Sequence, residues 1–260
     1  MWLYPEVRTL GDYIDYWARH EPTRTMLRTA ARSLSFGDVD PILNQVAHYL
    51  IDRGAGADQL VGFLGKNSFD FYFALFGCAR TRSGLVALNW RLSAPELAEQ
   101  IGDSEARMVI VEREMEPLWQ AAVAHLATVP EAIWIDADDT FEAQVAAAPI
   151  TRPDVAISED DTAFQLYTSG TTGKSKGVML SHRGTNMMRL CEHLEPTYHW
   201  ASDDSFINAL PNFHLLHLGI TVQCIYNGVS ITVVRQFDPA LVLSTISNLH
   251  PTLLTLTPTM

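Results

Sequence analysis

The sequence predicts an α/β fold in which layered sheets carry helices packed on both faces. Short apolar runs at residues 60–64 and 108–111 alternate with longer segments of helical periodicity. This alternation is typical of parallel strands joined by crossover helices. The chain has 260 residues, of which 47% are hydrophobic and 18% charged, so it can form a substantial core and differs from a disordered protein.

The N-terminal region predicts two helices and a strand. Residues 8–20 repeat apolar side chains at helical spacing and predict the first helix. Asp40 and Pro41 predict the start of the second helix, because aspartate suits the N-cap and proline suits the first turn. Gly54 predicts its end. Residues 60–64 then predict a buried strand.

The next stretch continues the alternation. Ser68 can cap a third helix, which is apolar nearly all round and should therefore be buried. Residues 85–88 predict a strand. Ser93 and Glu96 form a capping box at the start of a fourth helix, and Gly102 predicts its end.

Two parts of the chain are expected, an N-terminal α/β subdomain over residues 1–150 and a second α/β segment over residues 151–260. Residues 135–162 are rich in Asp and Glu but repeat no metal-ligand spacing, and prolines interrupt them. They predict a solvated connector rather than a carboxylate metal site, and no metal site is expected. Residues 163–167 predict a strand that leads into a glycine-rich stretch.

Residues 167–182 read YTSGTTGKSKGVMLSH. The glycines allow the backbone to approach a ligand closely, and the Ser and Thr hydroxyls add short donors. Lys174 and Lys176 add positive charge. Successive backbone N–H groups in such a turn form a concavity that suits phosphate oxygens. The stretch therefore predicts a loop that holds a nucleotide triphosphate.

Two other patterns fit this stretch less well than a phosphate loop does. The Walker A motif matches Gly173, Lys174 and Ser175, but its first glycine would fall at Thr168. A Walker loop also leads directly into a helix, whereas residues 177–180 predict a short strand. A solvated hairpin loop has a similar composition. The specific order of the residues favours the phosphate loop.

That order resembles the signature YTSGTTGxPKGV, followed by Ser-His, of the adenylate-forming superfamily, which includes the AMP-binding acyl-CoA synthetases. Ser175 stands where that family usually has proline, a departure that is expected to leave binding intact. The resemblance implies that the ATP phosphates are bound by Thr168, Ser169, Gly170, Thr171, Thr172, Gly173, Lys174, Lys176 and Gly177.

The resemblance extends upstream over residues 65–101, where it includes Asn89, Arg91 and Glu96. Ala87 stands where the family commonly has proline. Arg91 either faces the substrate or contacts a carboxylate or carbonyl of the scaffold, and the sequence leaves both interpretations open.

A helix is predicted after the loop. Ser181 can cap it, and an apolar stripe on it predicts a face toward the core; the stripe consists of Met187, Leu190, Cys191 and Leu194. His182 either anchors the loop or simply neighbours the helix cap.

Residues 209–219, ALPNFHLLHLG, resemble a second family segment, P-x-F-H-x-x-G. Carried to this sequence, the resemblance implies that Phe213 forms a wall of the acyl pocket. It implies that His214 orients the attacking carboxylate or the α-phosphate. The glycine lies two residues late and Asn212 replaces a common apolar residue, so the role of His217 stays open.

The last elements also alternate. Residues 228–235 predict a strand, Asp238 and Pro239 the start of a helix, and residues 252–257 a final strand.

Charge and cysteines exclude several protein classes. The formal net charge of −12 argues against a nucleic-acid-binding face. The three cysteines, Cys78, Cys191 and Cys224, lie in apolar surroundings without disulfide or metal spacing, which predicts reduced thiols in a cytoplasmic protein. No secretory signal peptide and no membrane-spanning run is expected.

The resemblance implies an ATP-dependent carboxylic acid–CoA ligase, which forms an acyl-adenylate from Mg²⁺·ATP and then a thioester with coenzyme A. A fatty acid is the expected acid. The alternatives are an aryl acid, a carrier-protein thiol in place of CoA, or a non-catalytic remnant that binds only nucleotide or acyl chains. The family's adenine-binding segment, hinge and C-terminal domain with the adenylation lysine have no counterpart here. The chain is therefore expected to be an N-terminal fragment of low activity, and a homodimer is left open.

Overall fold

The computed structural model describes residues 7–136, 140–168, 175–187, 189, 194–195 and 200–258. The strands are β1 (Thr25–Arg28), β2 (Ser33–Ser35), β3 (Leu60–Leu64), β4 (Gly84–Ala87), β5 (Met108–Glu112), β6 (Glu131–Ile135), β7 (Thr162–Thr168), β8 (Lys176–Ser181), β9 (Ser205–Asn208), β10 (Ser230–Val233) and β11 (Leu253–Leu254). The α-helices are α1 (Leu10–His20), α2 (Phe36–Ile51), α3 (Phe69–Cys78), α4 (Ala94–Ser104), α5 (Glu116–Val123), α6 (Phe141–Val145), α7 (His182–Met187), α8 (Leu215–Asn227) and α9 (Pro239–Leu249).

The strands form two sheets. The six-stranded sheet has the order β6-β5-β3-β4-β7-β8, and the five-stranded sheet has the order β11-β9-β10-β1-β2. In the first sheet β8 is antiparallel to β7 and the other pairings are parallel; in the second, β2 is antiparallel to β1. Both sheets draw strands from either side of residue 150, and a domain boundary at that residue stays a prediction.

Helices cover both faces of the six-stranded sheet, which confirms the predicted α/β class. Leu64 and Val109 pack with side chains of α4 and α5 on one face. Their strand neighbours Phe63 and Ile110 point to the opposite face, where α2 and α3 pack. This second core also takes in Phe206 of β9, so it fills the space shared by the two sheets.

Most predicted elements are confirmed. In α1 the predicted face is buried. The Ser68 hydroxyl caps α3 by accepting from the backbone N of Phe71, and α3 is buried nearly all round. The capping box of α4 is present, and Asp238 caps α9 through the backbone N of Leu241, at 2.8 Å. β11 is shorter than the predicted strand.

The predicted start of α2 is wrong. The helix begins at Phe36, and Pro41 lies inside it. Ser35 is the N-cap, because its hydroxyl accepts from the backbone N of Asp38 while the Asp38 carboxylate accepts from the backbone N of Ser35. This complete capping box satisfies two N-terminal donors of the helix and outweighs the local signal of Pro41.

Two further boundaries differ. α4 continues past Gly102 and ends at Ser104, and the C-cap residue Glu105 adopts a left-handed conformation with φ 51°. The connector is only partly solvated, because it contains α6, whose Phe141 is fully buried. The Phe141 ring packs edge-on against Tyr49 at 5.7 Å, and its backbone N donates to Asp70.

The apolar stripe predicted after the loop is not a core face where the structure describes it. Met187 and Leu194 are exposed, at 52% and 82%, and α7 ends at Met187. Leu190 and Cys191 lie outside the described residues. Cys78 and Cys224 are buried free thiols, as predicted.

Candidate functional site

The glycine-rich stretch begins and ends on the hairpin of β7 and β8. Tyr167 pairs with Gly177, and Thr168 pairs with Lys176, so these are the last described pairs before the loop. Thr168 and Lys176 are exposed. The predicted loop residues Ser169, Gly170, Thr171, Thr172, Gly173 and Lys174 lie outside the described residues.

The hairpin is connected to α4 through Tyr167. The Tyr167 hydroxyl lies 2.9 Å from the carbonyl oxygen of Gln100 and 2.8 Å from Oδ2 of Asp103. It accepts from Nε2 of Gln165 at 3.0 Å. Burial and the neighbouring Asp103 carboxylate raise the pKa of Tyr167, so its hydroxyl keeps its proton and acts as a donor.

Gly177 has a packing role in this hairpin. A Cβ atom at this position would lie 2.3 Å from Nε2 of Gln165. The missing side chain therefore leaves room for the Gln165 amide that contacts Tyr167. This role is separate from ligand contact, which stays a prediction for Gly177.

A second group of predicted residues lies at the same edge of the sheet. β4 runs parallel to β7, with Leu85 opposite Phe164, so the segment after β4 and the loop after β7 leave the sheet at the same carboxyl edge. Ligands of open parallel sheets bind at this edge. Trp90 and Arg91 follow β4 at this carboxyl edge.

Trp90, Arg91, Phe213 and His214 form one cluster, called here the aromatic–cation cluster. The rings of Trp90 and Phe213 meet edge-on at 5.9 Å, and the His214 ring lies 4.6 Å from Phe213. The guanidinium carbon of Arg91 lies 5.0 Å from the Trp90 ring and 5.9 Å from Phe213. The cluster thus brings Arg91 to the two predicted pocket residues. A substrate-facing role of Arg91 stays a prediction.

Phe213 and His214 are positioned by two asparagines that connect the sheets. Nδ2 of Asn67 donates to the carbonyls of Leu210 and Val234, at 2.8 and 2.9 Å. The backbone N of Asn212 donates to Oδ1 of Asn67, and Nδ2 of Asn212 donates to the carbonyl of Gly65. These bonds join the carboxyl ends of β3, β9 and β10.

Sequence reasoning missed these asparagines, because it treated Asn212 only as a departure from an apolar residue. Both are almost fully buried, at 3% and 1% exposure. The available signal was Asn67 shortly after the predicted strand at residues 60–64, where buried carbonyls need donors. The strand before Asn212, β9, was itself not predicted.

The two histidines of this segment differ. His214 is the exposed N-cap residue of α8, and its pKa is lowered by partial burial and by Arg91. His217 is fully buried, and its Nδ1 lies 2.8 Å from the carbonyl oxygen of Leu210. Burial lowers the pKa of His217 to about 4. His217 is therefore a neutral core residue that packs against Phe71 and Tyr72.

His182 connects the end of the hairpin to α1. It is fully buried, and its Nδ1 accepts from the backbone N of Leu10 at 3.2 Å. Burial lowers its pKa to about 4. Asn186 contacts the Tyr13 hydroxyl on the same side. Of the two interpretations of His182, this geometry supports the anchoring one.

Some of the cations near the site pair with a carboxylate and others do not. Arg235 forms a two-bond ion pair with Glu112, at 3.0 and 2.7 Å, and Lys66 lies 3.2 Å from Glu114. Within the described part of the chain, Lys176 and Arg91 have no such carboxylate partner. Lys176 is also exposed at the loop stem. The described ranges contain no group of three side chains able to hold a metal ion.

Comparisons with known proteins agree on one family. The profile of a family described as AMP-binding enzyme matches residues 14–260. A fatty acid–acyl-carrier-protein ligase (ScoC) of Streptomyces coeruleorubidus is 32% identical over 237 residues, which are 90% of this chain and 45% of that protein. A feruloyl-CoA synthase of an Amycolatopsis species is 30% identical over 96% of this chain and 49% of its own length.

A solved structure is also similar. The inhibitor-bound N-terminal domain of FACL13 from Mycobacterium tuberculosis matches with a TM-score of 0.86 and 26% identity. The match covers 97% of this chain and 64% of that one. The chain spans about half the length of the curated relatives it matches. None of the described helices is long and apolar enough to cross a membrane.

Proposed function

The chain belongs to the AMP-binding enzyme family, and on that premise we propose that it forms the phosphate-loop half of an ATP-dependent acid–thiol ligase. The observation that carries the proposal is the position of two groups at one carboxyl edge. The stem of the glycine-rich loop lies there, and so does the aromatic–cation cluster with Phe213 and His214.

The proposed reaction has two steps. A carboxylate oxygen of the acid attacks the α-phosphorus of Mg²⁺·ATP, and the bond to the leaving pyrophosphate breaks. A thiol then attacks the acyl carbon, loses its proton, and AMP leaves with the electron pair of the acyl–oxygen bond. Such a reaction depends mainly on the positioning of reactants and on stabilisation of phosphate charge.

The residues of this chain have distinct proposed roles. The backbone N–H groups and hydroxyls of the loop, with Thr168 at its start, bind the β- and γ-phosphates, and Lys174 and Lys176 neutralise their charge. Phe213 forms a wall for the acyl group. His214 orients the attacking carboxylate or the α-phosphate, and its lowered pKa keeps it neutral and able to donate one hydrogen bond.

Mg²⁺ enters as the complex with ATP, because Mg²⁺ in such sites is held mainly by substrate phosphates and water. The bound cation would reduce the negative charge that the loop has to neutralise. We propose a fatty acid as the substrate, with an aryl acid as the alternative, and coenzyme A or a carrier protein as the thiol. ScoC is named for a fatty acid and a carrier protein, and the Amycolatopsis protein for feruloyl-CoA. We propose a cytoplasmic location, which the buried free thiols of Cys78 and Cys224 support.

Binding by the chain itself is the first test. Calorimetric titration with Mg²⁺·ATP and with pyrophosphate should show saturable binding, and Lys176→Ala should weaken it about tenfold. Arg19→Ala is the matched control, because Arg19 is an exposed cation in the last turn of α1 and belongs neither to the loop nor to its stem. Equal affinities of the Lys176→Ala and Arg19→Ala variants would contradict the assigned role of Lys176.

Activity is the second test. ATP–pyrophosphate exchange is measured with short, medium, long-chain and aromatic acids. It is run on the 260-residue chain and on a fusion that adds the C-terminal half of the Amycolatopsis relative. We expect exchange in the fusion and little or none in the chain alone. ATP binding without exchange in a folded fusion would favour the non-catalytic binder.

A further inference from the structure

We propose that Tyr167 and Gln100 are positioning residues, which transmit the placement of the phosphate loop to the aromatic–cation cluster. The proposal rests on the proposed function, because it assumes that the loop binds the phosphates of ATP. It assigns a role in the site to two side chains that need not touch the nucleotide.

Tyr167 is placed to hold the loop stem in position. Tyr167 lies two residues before Ser169, the first residue of the loop. Its backbone pairs with Gly177 across the hairpin. Its hydroxyl contacts both Gln100 and Asp103 on α4. The end of β7 is therefore held to a neighbouring helix by hydrogen bonds directly beside the loop.

The loop stem and α4 are not fully packed against each other beside these hydrogen bonds. A cavity of about 170 Å³ lies between the loop stem and α4, and it is lined by Glu99, Gln100, Asp103, Tyr167 and Ser175. This space leaves the stem some room to move relative to α4. Loss of the Tyr167 hydroxyl should release that movement.

Gln100 links the same contact to the segment after β4. It is buried at 4% exposure. Its carbonyl oxygen lies 2.9 Å from the Tyr167 hydroxyl, and its side-chain Oε1 accepts from the backbone N of Asn89 at 3.3 Å. Asn89 precedes Trp90 and Arg91 of the aromatic–cation cluster.

The contacts thus form one continuous series from the loop stem to the proposed acyl pocket. The series runs through Tyr167, Gln100, Asn89, Trp90 and Phe213 to His214. An adenylating site needs the α-phosphate and the carboxylate in a fixed mutual geometry, and a displacement of about 1 Å can cost on the order of 100-fold in rate. A rigid link between the two binding regions would maintain this geometry.

The test combines affinity with amide hydrogen exchange on the 260-residue chain. In the wild type, Mg²⁺·ATP should slow exchange both in the hairpin and at Asn89–Arg91. Tyr167→Phe and Gln100→Met should each raise the Kd for ATP about fivefold, the effect of one lost hydrogen bond. Both variants should lose the ATP-dependent protection at Asn89–Arg91.

Three comparisons separate positioning from simple destabilisation. Tyr49→Phe removes the hydroxyl of a tyrosine on α2 that packs against Phe141, and it should leave the Kd unchanged. Gln100→Glu keeps an acceptor for the Asn89 N–H. It should therefore show the ATP-dependent protection at Asn89–Arg91 that Gln100→Met loses. Because the two contacts act in series, the double variant Tyr167→Phe/Gln100→Met should bind ATP no more weakly than either single variant.

The outcomes are distinct. Loss of thermal stability without change in Kd or protection would mean a structural role only and overturn the proposal. Additive effects of the two substitutions on the Kd would overturn the series. No ATP binding by the wild-type chain would overturn the proposed function and the positioning role with it.

Discussion

The backbone N of Asn212 donates a hydrogen bond of 3.1 Å to Oδ1 of Asn67, and this bond joins the carboxyl ends of strands from the two sheets. Asn67 follows β3 of the six-stranded sheet, and Asn212 follows β9 of the five-stranded sheet. Phe213 and His214 come next in the chain. The orientation of the proposed pocket wall therefore depends on a bond between two buried amides.

Replacement of Asn212 should destabilise the fold. In Asn212→Ala the buried carbonyl of Gly65 loses its donor at 2.9 Å, which should lower the free energy of unfolding by about 1–3 kcal/mol. Urea denaturation measures the effect. Asn248→Ala, on the exposed side of α9, is the control and should change the free energy by less than about 0.5 kcal/mol. Equal values for the two variants would show that the inter-sheet bonds contribute little.

Asp70 should reduce stability at neutral pH. Its burial raises its pKa to about 6, although its carboxylate accepts from the backbone N of Phe141. The folded state therefore binds the proton more tightly than the unfolded state, and the stability of the wild type falls as the pH rises from about 4 to about 6. Asp70→Asn keeps an acceptor and removes the charge. It should raise the free energy of unfolding at pH 7 by about 1–3 kcal/mol.

The control for Asp70→Asn is the same pair of proteins at pH 4. There Asp70 is protonated in the folded state, so the advantage of the variant should largely disappear. A constant difference between pH 4 and pH 7, measured by chemical denaturation, would mean that the carboxylate charge is not its cause.

His217 should make the fold sensitive to acid. Its pKa of about 4 lies below the ordinary histidine value, so the unfolded state takes up a proton first as the pH falls. The stabilising contribution of the neutral ring is complete above pH 6.5 and is lost between about 6.5 and 4. The loss should reach about 3 kcal/mol.

His217→Gln should flatten this pH dependence, even if it lowers stability at pH 7. His125→Gln, which replaces an exposed histidine, should leave the dependence unchanged. Free energies of unfolding at several pH values test both. Parallel pH curves for the wild type and His217→Gln would exclude His217 as the source and leave His182, whose pKa is lowered in the same way.

Gly177→Ala should disturb the hairpin through Gln165. The new Cβ would lie 2.3 Å from Nε2 of Gln165 and would displace an amide that contacts the Tyr167 hydroxyl. We expect a loss of about 1 kcal/mol in the free energy of unfolding, the usual value of one hydrogen bond. In Gly177→Ala/Gln165→Ala the clash is absent, so the two substitutions should be clearly non-additive. Additive losses would point to a backbone cause instead.

Local signals in the sequence predicted the α/β class and most elements, because capping residues and apolar periodicity act over a few residues. The start of α2 was missed because two such signals compete, and the capping box of Ser35 and Asp38 outweighs Pro41. The core position of Phe141 was missed because it depends on Tyr49, which is distant in sequence.

The segments of the candidate site were likewise found from local patterns, and their functional roles stay predictions. Its contiguous motifs placed the loop stem, Phe213 and His214. The partners that hold them, Asn67, Gln100 and Trp90, act through contacts between distant segments that no local pattern encodes. The exposed positions of Met187 and Leu194 likewise show that helical spacing does not determine which face meets the core.

The five-stranded sheet combines strands that are distant in sequence, and this limits the order in which the protein can fold during synthesis. Leu27 of β1 pairs with Ile231 of β10, so this pairing must wait until the segment around Ile231 has left the ribosome. Pairings between such distant segments slow folding and leave strand edges exposed to aggregation in the meantime. A nascent chain arrested before residue 230 should leave β1 open to proteolysis and to chaperones, whereas the segment from β3 to β5 can already be protected.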